Sequence, residues 1–185
     1  MSILSRRTLW LLRHAKAVAD PPPGGDDFDR VLAPRGRRDA SALGRLIGRD
    51  GKRLELGAPL PQVAFVSPAA RTKATAELVF EGMGIPARVE FPMDVYGGDP
   101  EDVLNHLRGL DDDVSSALVV LHNPTGQFLA RELLDPADED GLEVSVRRGF
   151  PTCALGIYDL EIGRWAQLAQ RCAMLDELLI PPFDK

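Results

Sequence analysis

The chain has 185 residues, 44% of them apolar and 27% charged, with a formal net charge of −6; this is the profile of one ordinary globular domain large enough to bury a core. The acidic balance argues against a nucleic-acid binder and makes any anion site a local concentration of arginine against a repulsive background. Cys153 and Cys172 form no CxxC pair, and His14, His106 and His122 show no HExxH or clustered spacing, so a zinc site has no support.

In chain order, Thr8 to Leu12 is an unbroken apolar run, the mark of a buried strand. It ends in Arg13-His14-Ala15-Lys16. An arginine fork binds oxyanions, and a neutral imidazole can attack an electrophilic phosphorus; the competing reading is a plain surface turn. Lys16 could add charge there, or simply be solvated. Ala19 to Asp27, with Pro21-Pro22-Pro23 and two glycines, excludes a helix or central strand and reads as a surface loop rather than a substrate-contacting flap. Leu32-Ala33-Pro34-Arg35-Gly36 leads into a helix with Ala40, Leu43, Leu46 and Ile47 on one face. Arg35, Arg37, Arg38, Arg45 and Arg49 form its wet side, and Gly51 is expected to stop it.

Gln62 to Val66 is a second strand. Ser67 then suits a helix N-cap, Pro68 a first helical residue, and Ala74, Leu78 and Val79 an apolar stripe. Arg71 falls in the first turn, beside free amides and the positive end of the dipole, and reads either as an anion ligand or as an exposed helix arginine. Ile85 to Phe91 reads as an edge strand and Met93 to Gly98 as a loop. Asp99-Pro100 opens a helix with Val103, Leu104 and Leu107 inward and His106 in a structural or solvated place. Ala117 to Leu121 is the clearest buried strand, ending in His122-Asn123-Pro124, after which Phe128, Leu129, Leu133 and Leu134 resume helical spacing. Pro136 to Gly141 is acidic and loop-like, Cys153 to Tyr158 is a strand with Arg164 to Leu168 as its hairpin partner, and Ala173 to Ile180 suits a short final helix. No repeat or linker divides the chain, so residues 1–185 read as a single three-layer α/β domain with a mostly parallel central sheet and helices on both faces.

Three strands thus end in Arg13-His14, Arg71 and His122. Ligands of open α/β sheets gather at the carboxyl ends of the strands, and two arginines with two histidines would make a pocket for a phosphoryl group.

These residues bring a family into view. Leu12-Arg13-His14-Ala15, Ser67-Pro68-Ala69-Ala70-Arg71-Thr72 with its helix through Glu77, Leu121-His122-Asn123-Pro124 and the turn at Leu32 to Gly36 together resemble the histidine phosphatase superfamily, phosphoglycerate-mutase-like in fold. The short chain and the Arg-His-Ala-Lys form look most like its SixA-type phosphohistidine phosphatase branch. The resemblance implies that His14 is a transiently phosphorylated nucleophile, that Arg13, Arg71 and His122 bind the phosphoryl oxygens, and that no metal or cofactor is required. Residue 15 is Ala where the family usually has Gly, and His122 follows Leu where many members have Gly. Larger branches carry a glutamate as proton donor; here the corresponding region offers Asp94, Asp99 or no donor, and the SixA-like branch looks able to work without one. Imidazole needs less acid help than an alkoxide as leaving group, which favours phosphohistidine in a protein as substrate. A phosphatase of small phosphorylated metabolites and a non-catalytic phosphate-binding module remain open. No nucleic-acid or membrane partner is expected. Met1 to Arg7 lacks a signal-peptide pattern and the run after it is too short to span a bilayer, so the expected location is the cytoplasm.

Overall fold

The computed structural model describes residues 6–49 and 58–183. Gly51, the expected end of the first helix, lies outside the described residues.

Six strands form one sheet: β1 (Arg7–Arg13), β2 (Val63–Val66), β3 (Arg88–Glu90), β4 (Ser116–Leu121), β5 (Leu155–Leu160) and β6 (Ala173–Leu179). Their order is β3-β2-β4-β1-β5-β6. The first four run parallel, while β5 is antiparallel to β1 and β6 to β5. β1 and β4 lie at the centre, with Leu9, Leu11, Val119 and Leu121 on one face and Trp10, Leu12, Leu118 and Val120 on the other. Strands buried on both faces need continuous apolar runs, which is how these two read in the sequence.

Two helical layers cover the faces. Helices α1 (Pro34–Arg49) and α2 (Ala70–Met83) pack over Trp10, Leu12 and Val120 through Leu43, Ile47, Val79 and Phe80. On the other side, α4 (Pro100–Arg108) and α5 (Thr125–Glu132) close over Leu11 and Val119 through Val103, Leu107 and Leu129. The α1–α2 contact is a backbone contact. A Cβ on Gly48 would stand 1.7 Å from the Gly82 carbonyl oxygen. The three-layer α/β architecture is the one expected from the alternation of apolar strands and amphipathic helices.

Several local expectations are corrected. α2 begins at Ala70, with Ala69 at the cap position and Ser67 outside the helix. Thr72 ties this entry to the first turn, its hydroxyl proton shared between the Ser67 and Ala69 carbonyl oxygens, 2.7 Å from each. The buried face of α2 comprises Arg71, Thr72, Thr75, Ala76, Val79, Phe80 and Met83; Ala74 and Leu78 are only half-buried. The stretch expected as loop from Met93 holds a single helical turn, α3 (Asp94–Gly97), and Phe128 on α5 is exposed.

At the C-terminus the sequence periodicity misleads twice. A helix, α6 (Glu139–Arg148), begins inside the stretch Pro136 to Gly141 expected as loop, and its start is held by the Asp138 carboxylate, which accepts from Gly141 N–H at 2.9 Å and from Leu175 N–H at 2.8 Å. The hairpin partner of β5 is β6, where a helix was expected. Residues 165–167 form a 3-10 turn that buries Trp165, whose indole N–H donates to the Val114 carbonyl at 2.7 Å. Leucine spacing in Ala173 to Ile180 suits a helix in isolation, but the open edge of β5 offers these residues a full ladder of backbone partners.

Candidate active site

β2, β4 and β1 are neighbours in the sheet and parallel, so their carboxyl ends arrive side by side. Backbone bonds lock those ends together: His14 N–H donates to Leu121 O at 3.0 Å, and Ser67 N–H to Val120 O at 2.9 Å. The four residues singled out from the sequence, Arg13, His14, Arg71 and His122, all line one cavity of about 330 Å³, together with Arg30, Lys16, Asn123 and Thr152.

His14 is buried. Its Nδ1 lies 2.8 Å from the carbonyl oxygen of Ala15. A carbonyl can only accept, so Nδ1 carries the proton and the lone pair resides on Nε2. Burial pushes the His14 pKa down to about 4, and the positive charges of Arg71, Arg13 and Arg30 act in the same direction, against the Ala15 hydrogen bond. The ring is therefore neutral at pH 7. Ala15 serves through its backbone, its N–H donating to Thr75 Oγ1 at 3.0 Å while Thr75 Oγ1 donates to the Arg71 carbonyl at 2.6 Å. The Ala15 methyl group is fully buried.

His122 sits with its ring centroid 5.0 Å from that of His14, the planes tilted by 54°. Its Nε2 is 2.7 Å from Ser67 Oγ, leaving Nδ1 as the nitrogen without a hydrogen-bond partner. Burial, then the His14 and Arg71 neighbours, hold its pKa down at about 3. The two adjacent imidazoles are thus both neutral.

The arginines are oriented from behind. Arg13 Nη1 donates to the Phe150 carbonyl at 2.9 Å, and Asn123 Nδ2 donates to the same oxygen at 3.0 Å. Arg71, 6% exposed, places Nη2 2.8 Å from Asp27 Oδ2 and donates through Nη1 to the Asp27 carbonyl. Arg30 reaches the other carboxylate oxygen of Asp27 at 2.8 Å, with its Nε on the Val18 carbonyl. Tyr96 O–H donates to Asp27 Oδ2 at 3.2 Å, and the Tyr96 ring stands edge-on to His122 at 5.5 Å. Burial tends to raise the Asp27 pKa, but the hydrogen bonds from Arg30 and Arg71 prevail and hold it below the ordinary carboxylate value.

The loop expected to be plain surface therefore enters the site. Its Pro21-Pro22-Pro23 portion is exposed, but its far end, the 3-10 turn Asp27–Asp29, brings Asp27 and Arg30 to the cavity. The turn back to α1 depends on Gly36, where a Cβ would meet the Lys16 carbonyl oxygen at 2.1 Å. Sequence reasoning missed Asp27, Arg30, Ser67, Tyr96 and Asn123 as parts of the site; only Asn123, next to His122, stood beside a residue already singled out.

The two acids considered as proton donors lie elsewhere. Asp94 Oδ1 is 2.8 Å from His106 Nε2, which ties α3 to α4. Neither Asp94 nor Asp99 lines the His14 cavity; Asp99 caps α4 with Asp102. Among the described residues no group of three or more His, Cys, Asp or Glu could hold a metal ion, and no helix is long and apolar enough to cross a membrane.

No protein-family model matches the chain. The Mycobacterium tuberculosis protein Rv1276c, uncharacterised, is 33% identical over 171 residues, 92% of this chain and 99% of its own. Among solved structures, a Nakamurella multipartitia protein assigned as the phosphohistidine phosphatase SixA is 32% identical and superposes with a TM-score of 0.77, covering 96% of this chain and 97% of the other. A second such protein, from Agrobacterium tumefaciens, is 28% identical with a TM-score of 0.74, covering 95% and 98%.

Proposed function

The chain belongs to the histidine phosphatase superfamily, on its SixA-like branch, and from that premise we propose that it removes phosphoryl groups from phosphohistidine in a protein through a phosphoenzyme on His14. The observation that carries this reading is the bond from His14 Nδ1–H to the Ala15 carbonyl. It presents an unprotonated Nε2 in a cavity lined by Arg13, Arg30 and Arg71.

In the first step the Nε2 lone pair of His14 forms a bond to phosphorus as the bond to the substrate's leaving nitrogen breaks. That nitrogen keeps the bonding pair and takes up a proton from solvent water, which the hydrolytic step returns. Arg13 and Arg71 bind the equatorial oxygens and neutralise charge on the in-line transition state, with His122 beside them. Water then attacks the phosphoenzyme, the P–Nε2 bond breaks, and orthophosphate leaves. No step calls for a metal, and the reaction is placed in the cytoplasm, where Cys153 and Cys172, both free thiols, would remain reduced.

Phosphohistidine is favoured over a phosphate ester because the acid problem is smaller. The carboxylate at this cavity, Asp27, is held ionised by Arg30 and Arg71, and an alkoxide leaving group needs a proton donor more than imidazole does. Comparing turnover on a phosphohistidine protein with turnover on a panel of phosphate esters tests the choice; faster hydrolysis of the esters would favour the small-metabolite reading. Incubation with a labelled phosphodonor separates enzyme from binding module. An acid-labile, base-stable adduct that disappears in His14→Ala is expected, and wild-type protein with neither adduct nor turnover would leave a non-catalytic phosphate-binding module.

A further inference from the structure

The phosphoryl cavity is small and polar, and the rest of any substrate must lie outside it. Next to it, sharing Asp27, is an open hollow of about 490 Å³ lined by Asp26, Phe28, Asp29, Met93 and Tyr96. Met93 and Tyr96 continue into a second hollow along residues 92–98. The floor is apolar: Phe28 and Tyr96 meet edge-on with centroids 4.9 Å apart, and Met93 is 64% exposed. The rim is acidic. The Asp26 and Asp29 carboxylates bond only to backbone N–H groups of their own turn, at 2.8 and 3.1 Å, and neither meets a cation among the described residues. Of the nearby arginines, Arg30 and Arg71 are paired with Asp27. Lys73 lies over the Phe91 ring at 5.2 Å.

We propose that this shelf receives the polypeptide flanking the phosphohistidine, taking an apolar side chain against Phe28, Met93 and Tyr96 and a lysine or arginine at the Asp26 and Asp29 rim. The proposal rests on the phosphatase reading and narrows its substrate class. A small metabolite with a second anionic group would bring negative charge to an acidic rim and leave the apolar floor uncovered. A basic and apolar peptide satisfies both surfaces, and continuity with the phosphoryl cavity through Asp27 and Tyr96 allows one chain to reach both.

The test uses three synthetic phosphohistidine peptides of equal length, with lysine and leucine, with glycine and serine, or with glutamate and serine around the phosphorylated residue. The basic, apolar peptide should show kcat/KM about tenfold above the acidic one, the neutral one falling between, since two exposed ion pairs together are worth roughly that factor. The preference should shrink as ionic strength rises and fall toward unity in the double variant Asp26→Asn, Asp29→Asn, in which the amide oxygens can still accept the turn's N–H groups. Equal kcat/KM for the three peptides, or an undiminished preference in the double variant, overturns the shelf while the phosphatase reading stands. Hydrolysis of none of them, with no phosphoenzyme on His14, overturns both.

Discussion

Ser67 Oγ and His122 Nε2 lie 2.7 Å apart across the ends of β2 and β4. The bond explains why a serine sits at the end of β2: it orients an imidazole of the neighbouring strand. Ser67→Ala should remove that constraint while keeping the backbone bond from residue 67 to Val120. A lost hydrogen bond of this kind is worth about 1 kcal/mol, so kcat should fall on the order of fivefold with KM little changed and Tm lower by roughly 2–4 °C. Steady-state kinetics with a thermal melt measure both; an unchanged kcat would remove His122 orientation from the account.

The Asp27 carboxylate occupies the Arg71 guanidinium that the proposed mechanism assigns to phosphate. Asp27→Asn removes the competing charge. Because Asp27 is more than half exposed, its pairs are solvent-screened and worth under about 1 kcal/mol each. Inhibition by orthophosphate should accordingly tighten by about two- to fivefold, read directly as Ki. A weaker Ki would mean that Asp27 positions Arg71 for phosphate rather than competing with it.

Both imidazoles titrate far below an exposed histidine, at about 4 for His14 and about 3 for His122. Each unfolded ring binds a proton near pH 6.5, so between these values the unfolded chain holds more protons than the folded one. Stability from these two groups is fully present above pH 6.5 and is lost as the pH falls toward 4 and 3, by on the order of a few kcal/mol in all. Urea midpoints from pH 7.5 down to 4 should decline, and His14→Asn should flatten part of that slope. The same neutrality predicts that protonation of His14 leaves kcat/KM unaffected until the pH approaches 4.

Replacing the nucleophile has a sharper readout. His14→Ala should lose turnover by roughly 10³-fold or more and form no phosphoenzyme, while orthophosphate binding by titration calorimetry survives through Arg13 and Arg71. Full turnover in this variant would reassign the nucleophile.

Away from the site, Gly48→Ala should force α1 from α2, because the new Cβ would stand 1.7 Å from the Gly82 carbonyl oxygen. Overpacking of this kind costs about 1–3 kcal/mol or more, a fall in Tm of roughly 2–12 °C for a chain of this size. A melt indistinguishable from wild type would show that the helix pair gives way freely.

The apolar strands β1, β2 and β4 are legible in the sequence, with Arg13, His14, Arg71 and His122 at or just past their carboxyl ends. Strands buried on both faces need unbroken apolar runs, and the residues that stop those runs mark the strand ends. β1, β2 and β4 are therefore legible together with the polar residues at their carboxyl ends. How distant segments serve those ends is visible only in the closed fold. Ser67 reads locally as a helix cap because its value to His122 depends on the adjacency of β2 and β4 in the sheet, 55 residues apart in the chain. Asp27 reads as the end of a surface loop because nothing local records that the loop folds back over Arg71, 44 residues on. The final strand reads as a helix because its leucine spacing is satisfied either way, and the choice fell to the unpaired edge of β5. Local patterns encode burial and backbone geometry; partnership across the sheet is a property of the closed fold.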